Sequence, residues 1–111
     1  MPEYHVRILQ AAEADIDAIA SWISERSADG AKRWVAALQR LLATLRNSPE
    51  SFSLSPEAES LERPIRQAFF KTRKGNTYRA VFLIDGNEVR VLRIRSPGQQ
   101  SLSTREFPEL M

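Results

Sequence analysis

The chain has 111 residues, 27% of them charged, with 16 Lys and Arg against 14 Asp and Glu and a formal net charge of +2. That length suits one domain over residues 1–111, with a core of two or three packed layers. There is no cysteine, which excludes disulfides and thiolate metal sites and fits a cytoplasmic chain. The opening Met1-Pro2-Glu3-Tyr4-His5-Val6 has no basic or apolar leader, and no apolar run approaches the ~20 residues that cross a bilayer. No signal peptide and no membrane association are therefore expected.

Tyr4 to Leu9 reads as a short strand, with Tyr4, Val6 and Ile8 on one side and His5 and Arg7 on the other. The spacing of Ala12, Ile16, Ile19, Ala20 and Ile23 predicts a helix from Ala12 to Arg26. Glu13, Asp15 and Asp17 crowd its first turns, where the helix dipole favours negative charge. Trp22 falls at the edge of the stripe. Ser27-Ala28-Asp29-Gly30 forms a break, with Asp29 placed to cap the next helix. That second helix is predicted from Ala31 to Asn47, its face made by Trp34, Leu38, Leu41, Leu42 and Leu45, and Pro49 ends it. Joined by a short turn, the two make an antiparallel hairpin.

Pro49 to Arg63 reads as a connecting loop with a short helical turn near Glu57–Leu61. Three strands come next, at Ile65–Phe70, Thr77–Ile84 and Glu88–Arg95. Tyr78, Ala80, Phe82 and Ile84 alternate with Arg79, Val81 and Leu83. Asp85-Gly86-Asn87 and Lys74-Gly75-Asn76 are tight-turn signals that make the three strands an antiparallel meander. The expected fold is therefore α+β, ordered β-α-α-β-β-β, with the helix hairpin packed on one face of an antiparallel sheet and the other face partly open. The tail over 96–111 has a capping-box spacing at Ser103 and Glu106, but Pro108 leaves no room for a long helix.

Charge is unevenly placed. Arg63, Arg66, Lys71, Arg73, Lys74, Arg79, Arg90, Arg93 and Arg95 face only Asp85 and Glu88 within the same span, while the rest of the chain is net acidic. A surface of that kind points to an anionic partner, nucleic acid or an acidic protein segment, or to a solvated β-face. Arg73, Lys74, Arg93, Arg95 and Trp34 are the candidate contacts for such a partner. Packing in the helix hairpin is the other reading of Trp34, and the first reading of Trp22. Arg79 is open to two readings as well, a functional cation or the ion-pair partner of a glutamate from the Pro49–Arg63 loop. No metal site is expected: His5 stands alone, and Asp15 and Asp17 are two apart on a helix and do not face each other.

Four features resemble the RelE/ParE superfamily of type II toxin–antitoxin toxins, the plasmid-stabilisation type, and together they cover nearly the whole chain. They are the Tyr4-His5-Val6 strand running into AEADIDAIASWI over 12–23, the helix with Trp34 near its start, TYRAVFLID over 77–85, and VRVLRIRSPGQ over 89–99. The resemblance implies a toxin neutralised by a cognate antitoxin, with no cofactor. RelE-like members cleave mRNA on the ribosome; on that branch Arg66, Lys71 and Arg79 would be the catalytic, phosphate-neutralising residues. The pattern departs where those members carry a further arginine and an aromatic hydroxyl: this chain has Pro97-Gly98-Gln99-Gln100 and, in its tail, no tyrosine. ParE-like members inhibit DNA gyrase by binding. The missing acid–base set fits them better, so gyrase is the expected target, the ribosome with mRNA the alternative, and a toxin fold acting only within a repressor complex the third reading.

Overall fold

The computed structural model describes residues 3–99 together with Leu102, Glu106 and Phe107; the Ser103 end of the expected capping box lies outside the described residues. Its elements are β1 (His5–Ile8), α1 (Gln10–Ser24), α2 (Ala28–Asn47), a 3-10 turn (Pro49–Ser51), α3 (Glu57–Leu61), β2 (Arg66–Lys71), β3 (Thr77–Asp85) and β4 (Glu88–Arg95). The β-α-α-β-β-β order holds, with α3 where the helical turn was expected.

The sheet order is β1-β4-β3-β2. The meander is antiparallel as expected, but β1 joins it parallel to β4, with Val6 opposite Val89 and Ile8 opposite Val91, so the sheet is mixed. A parallel neighbour requires a crossover, and the α1–α2 hairpin supplies it. Gly86 carries a φ of +62° in the β3–β4 turn, a conformation glycine adopts without steric cost.

The α2 periodicity is realised in packing. Trp34, Ala37, Leu38, Leu41 and Leu45 are buried against Ala68, Phe70, Tyr78, Ala80, Phe82, Val89, Val91 and Ile94 of the sheet. The α2 cap is Ser27 rather than Asp29: the Gly30 N–H donates to Ser27 Oγ at 2.9 Å. The helix begins three residues earlier than its apolar pattern suggests, because capping chemistry and not hydrophobicity sets its start.

One irregularity decides which way the basic residues of β4 point. Val81 pairs with Arg93 but Phe82 pairs with Val91, which makes Leu92 the extra residue of a β-bulge. Strict alternation would put Arg93 and Arg95 on the helix side with Val89 and Val91. The bulge turns Ile94 inward instead and sends Arg93 and Arg95 to the far face.

Candidate functional site

The far face is not open. Leu9, Ile65, Val81, Leu83, Leu92, Leu102 and Phe107 form a second apolar cluster there, with Ala58 and Leu61 of α3 against it. Arg79, Arg93 and Arg95, part of the expected cationic surface, therefore lie on a covered face. Only a face with its charges compensated can be covered this way, since each unpaired buried ion costs several kcal/mol.

Compensation begins at Glu57, whose exposure is 0%. Arg79 Nη1 donates to its Oε1 at 2.8 Å and Arg79 Nη2 to its Oε2 at 2.9 Å, a bidentate pair. The Leu102 N–H donates to Oε2 at 2.9 Å, and Gln67 Oε1 accepts from Arg79 Nη1 at 3.3 Å. Burial pushes the Glu57 carboxyl up, but the Arg79 hydrogen bonds and the Leu102 and Glu57 backbone amides outweigh it and hold the pKa down at about 2. One carboxylate thus fastens α3, β3 and Leu102 together.

A second hub sits where β4 outruns β1. Asp15 of α1 accepts from Arg93 Nε at 2.7 Å and Nη2 at 2.8 Å, and from the Ile94 N–H at 2.9 Å. It neutralises a cation and satisfies the strand edge that β1 leaves bare. Arg93 Nη1 also donates to the Glu106 carbonyl at 2.8 Å. The Asp15 bonds raise the Arg93 pKa above its ordinary value, whereas burial, then the neighbouring Arg93 charge, lowers that of Arg95. Arg90 pairs with Asp85 at 2.9 Å and Glu88 at 2.5 Å.

Two grooves flank Trp22 at one end of the helix hairpin. One, of about 450 Å³, runs between α1 and β4 and is lined by Asp15, Ile19, Tyr78, Arg95, Pro97 and Gln99 among others. The other, of about 520 Å³, lies between the hairpin and the β2–β3 turn, with Arg33, Trp34, Arg73, Lys74 and Gly75 in its lining. Trp22, Asn76 and Tyr78 belong to both. Trp22 is 53% exposed, and the Arg26 guanidinium lies 3.7 Å from its ring centroid.

Residues 6–100 match the family described as "ParE toxin of type II toxin-antitoxin system, parDE". The chain belongs to the ParE toxin family. A solved structure described as "Chromosomal ParDE TA system from P. aeruginosa" is similar with a TM-score of 0.64 and 21% sequence identity, covering 84% of this chain and 95% of that one; at this identity the likeness is one of fold. Comparison with curated proteins returns no match.

In this ParE-family chain the residues proposed for a nuclease site do not converge. Arg66 pairs with Phe82, on the helix side of the sheet, and its Nη1 donates to the Phe52 carbonyl at 2.5 Å. Lys71 lies opposite Thr77 at the exposed end of β2, on the same side as Arg79 but near the strand's terminus. Arg79 is committed to Glu57. Of its two readings, the structure displays the ion pair with a loop glutamate. The candidate partner residues also divide. Arg73 and Lys74 are exposed in the β2–β3 turn, and Arg93 is held by Asp15. Trp34 is only 2% exposed, with Phe70 and Tyr78 ring centroids at 5.7 and 5.5 Å, so this candidate contact is a core residue. The exposed tryptophan is Trp22, which its position beside the apolar stripe of α1 assigns to packing. A place on the rim of that stripe, rather than within it, is the one sequence signal of its exposure.

Proposed function

We propose that this ParE-family toxin arrests growth by binding and inhibiting DNA gyrase, and that a cognate antitoxin neutralises it. The observation that carries the reading is the closed Arg79–Glu57 pair beneath α3 and Leu102. An RNA-cleaving site needs its central cation free to meet a scissile phosphate and an acid–base pair within reach. Here the central-strand guanidinium already has both of its outer nitrogens on a buried carboxylate. The aromatic hydroxyl of the adjoining residue, Tyr78, extends from the opposite side of the sheet, and burial raises its pKa. Inhibition by binding requires only a shaped, stable surface, which the two grooves and the exposed β2–β3 turn provide.

The test is a supercoiling assay with purified gyrase, ATP and relaxed plasmid. Added toxin is expected to reduce supercoiling and, after detergent and protease, to release linear DNA. An equimolar antitoxin encoded beside the toxin gene is expected to restore supercoiling. Unchanged supercoiling at micromolar toxin, from a preparation that still arrests growth when expressed, would contradict the gyrase assignment. Normal growth at high expression would instead favour a role confined to a repressor complex.

A further inference from the structure

We infer that the two grooves around Trp22 form a site for a short run of single-stranded nucleic acid, one base stacked on the indole and its flanking phosphates met by Arg33, Arg73 and Lys74. This goes beyond gyrase binding and stands or falls separately from it.

Three observations carry the inference. First, Trp22 is the exposed one of the two tryptophans, and Arg26 covers one face of its ring. The guanidinium, which also donates to the Trp22 carbonyl at 2.7 Å, fixes the indole as a platform. A stacked base needs a rigid aromatic face beside cations, and every base has such a face to offer. Second, Arg33, Arg73 and Lys74 are exposed and enter no ion pair among the described residues, in contrast to Arg79, Arg90 and Arg93. The chain neutralises its cations on the covered face and leaves these three bare beside one aromatic ring. Among the described residues, the lining of the groove that holds these three contains no carboxylate, and Asp15 in the lining of the other groove is paired with Arg93.

Third, the groove is poorly built for an extended peptide. A peptide strand would add to the β4 edge beyond β1, but N–H donors there are already engaged from within. The Ile94 N–H donates to Asp15, and the Ser96 N–H donates to Gln99 Oε1 at 2.7 Å. The donors that main-chain pairing, the usual source of affinity in strand addition, would use there are therefore engaged. A nucleic-acid strand needs no such edge. It must be single-stranded, because a duplex buries the base faces that Trp22 would meet.

The test is fluorescence anisotropy of a dye-labelled oligothymidylate, about 12 nucleotides long to span one such site, against the purified full chain at low salt. Abasic strands and polyglutamate peptides of equal length serve as comparators. Trp22→Ala is expected to weaken thymidylate binding roughly tenfold to hundredfold, the loss of one stacked base, and to leave the abasic strand unaffected. Trp22→Phe is expected to recover most of it. Arg73→Ala with Lys74→Ala is expected to flatten the slope of log affinity against log salt by about 1.4, two phosphate contacts on a single strand. The exposed position of Trp22 keeps these variants folded, which thermal melting verifies. Thymidylate binding no tighter than the abasic strand, or insensitive to Trp22→Ala, overturns the inference. Polyglutamate binding with the same dependence on Trp22 overturns it too, and assigns the groove to an acidic protein segment.

Discussion

Glu57→Ala is expected to destabilise the fold by about 3–5 kcal/mol, the cost of breaking a buried ion pair from one side. The Arg79 guanidinium, with its side chain only 15% exposed, would be left with Gln67 alone among the described residues, and the Leu102 N–H would lose its acceptor. For a domain of this size the melting temperature should fall by roughly 10–20 °C in circular dichroism. Removing both partners, Glu57→Ala with Arg79→Ala, is expected to cost less than the two single changes summed, because no charge is then stranded. Acid should reproduce part of the effect. The Glu57 pKa is about 2 in the fold against an ordinary 4.5, so its contribution is complete above 4.5 and disappears as pH falls towards 2. The wild type should lose stability across that window, while Glu57→Gln should show a flatter profile. Equal pH profiles would mean that Glu57 is not the buried anion described.

Trp34→Ala should cost a similar amount, roughly 3–5 kcal/mol, as a large aromatic removed from a packed core. Trp34 lies against Phe70 and Tyr78 and joins α2 to β2 and β3. Its Nε1 is buried and has no hydrogen-bond acceptor among the described residues, so Trp34→Phe discards an unsatisfied donor along with one ring and should cost far less. Urea unfolding of the three proteins gives both numbers. Stability unchanged by Trp34→Ala would return this residue to the surface and to the role of a partner contact.

The contrast between these two residues marks what the sequence carries about the fold and the site. The α2 stripe is legible because Trp34, Leu38, Leu41 and Leu45 repeat at helical spacing over three turns, and tertiary packing uses that repeat. The β3 alternation is legible for the same reason: Tyr78, Ala80 and Phe82 face the helices, and Arg79 and Val81 face away. The period of two also separates Arg66 from Lys71, since residues five apart on a strand lie on opposite faces; grouping both with Arg79 rests on family resemblance and not on strand geometry. The facing of Arg93 and Arg95 is beyond pattern reading, because the bulge at Leu92 reverses the phase of β4 and nothing local announces it. Nor does local sequence announce the burial of Glu57. It sits among serines and other glutamates in a loop-like stretch, and its partners Arg79 and Leu102 are 22 and 45 residues away. Long-range charge pairing leaves no periodic trace, so a face rich in arginine reads as exposed when it is covered.

On the reading proposed above, a cationic face closed by the chain's own carboxylates belongs to a toxin that acts by binding. Primer extension on a reporter mRNA, translated in a reconstituted ribosome system with added toxin, tests this most directly. Full-length extension products and undiminished translation are expected at toxin concentrations that inhibit gyrase. Discrete cuts at A-site codons, lost on Arg79→Ala in a variant that still folds, would contradict it.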